Sequence, residues 1–276
     1  MELAGIIETA CLWEAEAPKA GNVHPKASFD DVSYEDFVHS ARIAAFMLAR
    51  VDTRGVSQSI LDAVRAVNMQ VGKNTNLGIV LLLGPMVAVA KDQTLQQGLP
   101  SILDALNVED SCRIYEAINI AKPGGLSQVG EQDVLATPTE NVRSVMELAQ
   151  QRDTIAKQYT NNFQDVLDFG LTRLAHWWSA TQGNRNQAIV GLHLDWMANY
   201  PDTLILRKCG AKIAEESAAR AKEVLESNWS EAPQSLEKFA EFDDWLRTDS
   251  NKRNPGTSAD LVAACLFAGL REGIIS

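Results

Sequence analysis

The run Gly72-Lys73-Asn74-Thr75-Asn76-Leu77-Gly78-Ile79-Val80-Leu81-Leu82-Leu83-Gly84-Pro85 decides how the chain is read. Small and amide side chains stand directly before the most apolar segment, so polar chemistry is anchored to an element that must be buried. Asn and Thr favour caps and turns because their side chains bond nearby backbone groups, and Gly72 and Gly78 admit another group close to the backbone. The pattern predicts a helix whose N-terminal end faces a pocket, where free N–H groups and the positive end of the dipole suit an anion such as phosphate. An ordinary capped core helix has the same appearance, so the rest of the chain must decide.

Upstream, Ser57 reads as the cap of a helix in which Ile60, Leu61, Val64, Val67 and Val71 recur every three or four residues, after a turn over Asp52 to Gly55. Residues 2–17 form a helix that stops before Pro18. The loop from Pro18 to Pro25 brings Glu14, Lys19, Asn22 and His24 near one another, and a further helix runs from about Ser33 to Arg50. Downstream, Leu99 and Pro100 mark a connection before a helix over 100–106, and Asn107 opens another that ends at Ala121. Lys122-Pro123-Gly124-Gly125-Leu126 demands a turn with special backbone angles, with Glu131 and Asp133 beside it.

One long helix is expected over 139–159, with Arg152 and Asp153 as a solvated pair, and another over 163–178. A helix over 188–200 holds His193, which has no second ligand at metal spacing and reads as structural. Asp202 starts a helix extending to about Leu225. Arg207 and Lys208 fall in its first two turns, where cations oppose the dipole, so they are expected to answer to an external anion. An acid-rich helix covers 231–249. Finally Asn254-Pro255-Gly256-Thr257-Ser258-Ala259-Asp260-Leu261 repeats the form of the opening stretch, a small polar turn feeding a buried helix. No strand-like alternation of useful length appears. The fold expected is all-α, a single-domain multi-helix bundle over 1–276.

A chain of 276 residues, 46% apolar and 22% charged, can bury a full core. Its formal charge of −11 argues against nucleic-acid binding, which needs a basic face. A phosphate-rich ligand must then be met by a local basic cluster, helix N-termini or a metal held on carboxylates. Cys11, Cys112, Cys209 and Cys265 are widely spread without a CxxC pair and read as reduced core residues. The apolar run from Leu77 to Ala90 is too short for a bilayer, and the N-terminus lacks a secretory pattern. A cytoplasmic location without membrane contact is expected. The oligomeric state stays open, with a homodimer the form to test.

The segments Pro18 to His24, Gly72 to Gly78, Lys122 to Leu126, Asp202 to Ile205 with Arg207-Lys208, and Asn254 to Leu261 resemble, in order and over nearly the whole chain, the motifs of the triphosphoribosyl-dephospho-CoA synthase family. The likeness is closer to the branch of archaea and of bacteria with tetrahydromethanopterin-type one-carbon metabolism than to the citrate and malonate branch. The resemblance implies an all-helical fold and transfer of the 5-triphosphoribosyl group of ATP onto the 2′-hydroxyl of 3′-dephospho-CoA, with release of adenine. Departures are Ala20 where the family has Pro, Arg207-Lys208 in place of the citrate branch's histidine-containing segment, and Ser258 where its own branch has Thr. The second leaves the acceptor open: dephospho-CoA or a related molecule.

On that resemblance, Lys19, Lys73, Arg207 and Lys208 are expected on phosphates, oriented by Asn74 and Asn76. Asn22, Thr75, Gly124, Gly125, Asn254, Gly256, Thr257 and Ser258 complete the substrate-binding set. Asp202 and Asp260 are the expected carboxylates for Mg2+ or for stabilising positive charge, Glu14 and Asp133 stand in reserve, and His24 is a candidate base. A Mg2+-dependent nucleotide N-glycoside hydrolase and a noncatalytic nucleotide-binding protein are the alternatives.

Overall fold

The computed structural model describes residues 2–125, 131–229 and 232–276. In chain order the helices are α1 (Leu3–Glu16), α2 (Tyr34–Leu48), α3 (Val51–Arg54), α4 (Val56–Gln70), α5 (Leu77–Val87), α6 (Leu95–Asp104) and α7 (Val108–Ala121). Then follow α8 (Val142–Ala149), α9 (Thr154–Thr160), α10 (Leu171–Ala180), α11 (Arg185–Asn199), α12 (Thr203–Cys209), α13 (Ala211–Glu226), α14 (Pro233–Asn251) and α15 (Gly256–Arg271). A π-helical turn over Asp165–Gly170 leads into α10. No strand occurs among the described residues, as the lack of alternation requires.

Every residue of α5 is buried, which is why its sequence is apolar on all sides. Each enclosed Leu, Ile or Val side chain stabilises the fold by about 1.5–3 kcal/mol relative to exposure. Beside α5 lies α15, which also packs on α1 and α11. From Thr257 to Leu270 all of α15 is buried apart from Asp260. The polar turns before α5 and before α15 therefore end in a shared core, and their positions are fixed by it. Several outer helices begin with reciprocal caps: Ser33 with Asp36, Thr94 with Gln97, and Asn107 with Asp110.

The helical periods are right more often than the breaks. The helix expected over 139–159 is divided: Asp153 caps α9 through its Oδ1, accepting from the Ile155 and Ala156 N–H groups. The helix expected from 203 to 225 is divided at Gly210, whose φ of 87° and ψ of 167° are open to glycine almost alone. Ser57 lies inside α4, which starts after Gly55, and donates to Asp110 instead of capping. Pro100 sits within α6, which begins at the Thr94 cap. Residues 165–170 form the π-turn in place of α-helix, and α11 starts at Arg185 behind an Asn184 cap. The four cysteines are unpaired, but only Cys11 and Cys265 are buried. No described helix is long and apolar enough to cross a membrane.

Candidate active site

A cavity of about 860 Å³ opens where the polar turns meet, a size suited to a small-molecule ligand. Its wall includes Glu14 and Asn22, then Lys73 through Gly78, then Gly124 and Gly125, then Arg207 and Lys208, and finally Asn254, Gly256, Thr257 and Asp260. Segments nearly 250 positions apart thus converge at one place, and the first residues of α5 and α15 form its floor.

The carboxylates sort by partner. Asp260 has no hydrogen-bond partner among the described residues, and its proton affinity is raised well above the ordinary carboxyl value. Burial is the main cause, reinforced by the negative charges of Glu14, Asp202 and Asp153, with Arg207 opposing. Gly78 makes room for it: a Cβ built there would stand 2.0 Å from Asp260 Oδ2. Glu14 lies at the end of α1, and its Oε1 is 2.8 Å from Lys19 Nζ in a buried ion pair. Lys19 also donates to the Glu14 carbonyl, so its ammonium is fully engaged with this one residue and the Ala17 carbonyl.

Asp202 is fully committed to the fold. Its Oδ1 accepts from the N–H groups of Leu204 and Ile205 at 2.8 and 3.0 Å, capping α12. Its Oδ2 accepts from the Ser258 N–H and hydroxyl at 2.7 and 2.8 Å. Burial raises the Asp202 pKa, while these bonds work against the rise. One residue therefore ties the start of α12 to the start of α15 and holds Asp260 in register with Arg207 and Lys208.

Cations occupy another part of the wall. Because α12 is short, Arg207 and Lys208 fall in its last turn, where the dipole favours them. The expectation that they oppose the dipole is overturned by the break at Gly210. Arg207 pairs with Asp153 at 2.7 Å, and Lys208 donates to Asn254 Oδ1 at 2.9 Å. Burial pulls the Lys208 pKa below the ordinary lysine value. Gly124 and Gly125 lie against this pair: a Cβ at either would come within 2.9 Å of the Lys208 or Arg207 side chain. Lys73 is held 2.8 Å from Asp36. The amides are anchored too: Asn76 donates to the Ser40 carbonyl at 3.2 Å, and the Thr75 and Ser40 hydroxyls are 2.6 Å apart.

Five expected site residues do not line the cavity: Lys19, His24, Asp133, Asp202 and Ser258. Lys19, 1% exposed, cannot meet a phosphate and instead aligns Glu14. Ser258 is turned to Asp202, and His24 sits in a turn bridged to Ala27. Asp133 Oδ1 accepts from the Leu135 N–H, and Leu126 lies outside the described residues. His193 is structural as expected: burial and the Lys19 charge push its pKa to about 3, and its Nε2 is 3.3 Å from Asn22 Nδ2. Missed from the sequence were Arg152 and Asp153, both on the cavity wall. Asp-Thr at 153–154 is a cap signal that the assumption of a single helix concealed.

Fold and site together define an all-helical protein with a cavity of substrate size lined by both cationic and carboxylate side chains. The family model described as ATP:dephospho-CoA triphosphoribosyl transferase (CitG) matches residues 1–275, and the chain belongs to that family. A curated protein of Pseudomonas savastanoi pv. phaseolicola, assigned as a 2-(5''-triphosphoribosyl)-3'-dephosphocoenzyme-A synthase, is 27% identical over 196 residues. That match takes in 71% of this chain and 60% of the relative, so it spans less than two thirds of the relative's length. The crystal structure of an Archaeoglobus fulgidus protein assigned as a triphosphoribosyl-dephospho-CoA synthase superposes with a TM-score of 0.69 at 23% identity. It covers 87% of this chain and 99% of that one, a likeness of fold.

Proposed function

We propose that the protein is a pentosyltransferase that moves the triphosphoribosyl group of ATP onto the 2′-hydroxyl of 3′-dephospho-CoA, or of a closely related acceptor, releasing adenine. The observation that carries this is the meeting, in one cavity, of Lys73, Arg152, Arg207 and Lys208 with the carboxylates of Glu14 and Asp260. The cations suit a triphosphate. The carboxylates suit the positive charge that builds on the anomeric carbon as the ribose–adenine bond breaks.

Glu14 is the group for that charge and for the acceptor proton, since Lys19 engages Oε1 and leaves Oε2 without a partner among the described residues. The C1′–N9 bond breaks with its electron pair leaving on adenine, which takes up a proton from water; the acceptor oxygen bonds to C1′, and the proton of the acceptor hydroxyl passes to Glu14. No group of three or more metal-ligating side chains exists among the described residues. Mg2+ in nucleotide sites takes one or two carboxylates and completes its shell with phosphate oxygens and water. Asp260 fits as its protein ligand, being unpartnered and crowded by the charges of Glu14, Asp202 and Asp153. When bound, the ion neutralises phosphate charge and orients the triphosphate. The likeness to the one-carbon branch points to an acceptor used in that metabolism.

The test is to incubate the protein with ATP, Mg2+ and dephospho-CoA and to follow free adenine and the coupled product by chromatography. Adenine that forms only with the acceptor present supports the transferase. Equal release into water makes the protein a hydrolase, and nucleotide binding without release with any acceptor tried makes it a binding protein.

A further inference from the structure

A second cavity of about 750 Å³ lies against the first. The two share a rim made of Gly72, Asn74, Tyr115, Ala121, Lys122 and Val134. Beyond that rim the second cavity changes character. Among the described residues its only charged side chain there is Glu116, already ion-paired with Arg65. What remains is amide, thiol and apolar: Asn68 and Asn119 line it together with Cys112, Ile120, Leu135 and Pro138. The outer wall is fixed in place, with Tyr115 donating to the Gln132 carbonyl and Asn119 to the Val134 carbonyl, both at 2.7 Å.

We infer that this groove is the acceptor subsite and takes the uncharged, amide-bearing arm of a coenzyme-A-type acceptor. The inference rests on the transferase reading above. Charge separates the two ligands. A triphosphate needs cations, and these lie in the first cavity, whereas the groove beyond the rim offers none. An arm made of two amides, methyl groups and a terminal thiol needs hydrogen-bonding partners along an apolar surface, which asparagines set among Ile, Leu and Pro supply. Lys122 stands on the shared rim, where the diphosphate joining arm to adenosine crosses from one cavity to the other. The acceptor's ribose then lies on the side of Glu14 and Asp260, and its arm lies outside.

Ala136 and Thr137 line the groove and are exposed, so bulk can be added there without disturbing the core. Ala136→Trp and Thr137→Trp are expected to raise KM for dephospho-CoA by about ten-fold and to leave KM for ATP within about two-fold. A binding measurement reads the same groove without turnover. In the full chain carrying Cys209→Ser, Cys112 is labelled with a pyridyl disulfide: the Cys112 sulfur bonds to the reagent's sulfur and pyridine-2-thione leaves. S-methyl dephospho-CoA should slow this labelling, and ATP should not. Wild-type turnover with unaltered acceptor KM in both Trp variants overturns the inference, as does labelling indifferent to the methylated acceptor. Absence of adenine release from wild type, with protection of Cys112 retained, removes the transferase reading and leaves the groove as a coenzyme-binding site.

Discussion

Asp260 owes its raised proton affinity to what surrounds it: an apolar helix, three nearby carboxylates and, among the described residues, no hydrogen-bond donor. A group so placed opposes stability at neutral pH. The folded chain holds the Asp260 proton more tightly than the unfolded chain does. Stability is therefore full below the unfolded carboxyl value of about 3.9 and falls as pH rises through the raised folded value. Asp260→Asn removes that penalty. In Mg2+-free buffer the variant should melt a few degrees above wild type at neutral pH, with the two curves converging in acid, while kcat falls by about 10²-fold or more. A variant that melts lower at neutral pH would show that Asp260 supports the fold instead. Gly78 gives the same site a steric test. Gly78→Ala favours helix by about 1 kcal/mol, but its methyl would occupy the space of Asp260 Oδ2. Adenine release should therefore be lost to nearly the extent of Asp260→Asn, measured on protein whose circular dichroism is unchanged.

At the scale of elements, the short α12 carries the greatest demand, because it presents two cations to the cavity and is fixed at both ends by single residues. Asp202→Ala removes the α12 cap and leaves the Ser258 donors buried without an acceptor, so denaturant unfolding should show a loss of about 2–4 kcal/mol. Gly210→Ala meets nothing within 4 Å, so its expected loss of about 1–3 kcal/mol comes from backbone conformation alone. This element also shows what the sequence could and could not reveal. Apolar period and caps made the buried helices after Asn76 and Pro255 legible, and with them the meeting of their polar turns. Gly210 is a single glycine inside a continuous helical pattern, and only its positive φ, invisible in the period, separates α12 from α13. Reading through it placed Arg207 and Lys208 at the wrong end of a dipole, although the residues themselves line the cavity. Lys19 illustrates the converse. Its position in the loop and its nearness to Glu14 were legible, but the inward direction of its ammonium depends on burial by packed elements, which local sequence does not encode. The loop is also fixed from α14, where Asp243 accepts from the Gly21 N–H at 2.6 Å and Arg247 donates to the Asn22 carbonyl at 2.7 Å.

For the whole molecule the contrast is between an acidic chain of net charge −11 and a cavity in which Lys122, Arg152, Lys208 and Lys252 have no carboxylate at ion-pair distance among the described residues. Most arginines elsewhere are neutralised by neighbouring acids; Arg65, Arg173 and Arg185 are examples. The same wall carries Glu14, Asp30, Asp31, Glu131, Asp153 and Asp260, so its formal charges balance and it opposes a polyanion less than the acidic remainder of the surface does. ATP should accordingly raise the melting temperature by several degrees, since ligand at 100 times its Kd stabilises by about 2.7 kcal/mol, whereas adenosine should give little shift. Raising ionic strength from about 0.05 to 0.5 M should shrink the ATP effect because it screens exposed charges. Arg152 and Lys208 decide the matter, since neither is tied into an ion pair on which the fold depends. Arg152→Gln with Lys208→Gln should abolish most of the ATP shift while leaving the unliganded melting temperature within a degree or so of wild type. An ATP shift that survives this double substitution, or that is indifferent to salt, would mean that the triphosphate is held elsewhere and that the convergence of polar turns serves another ligand.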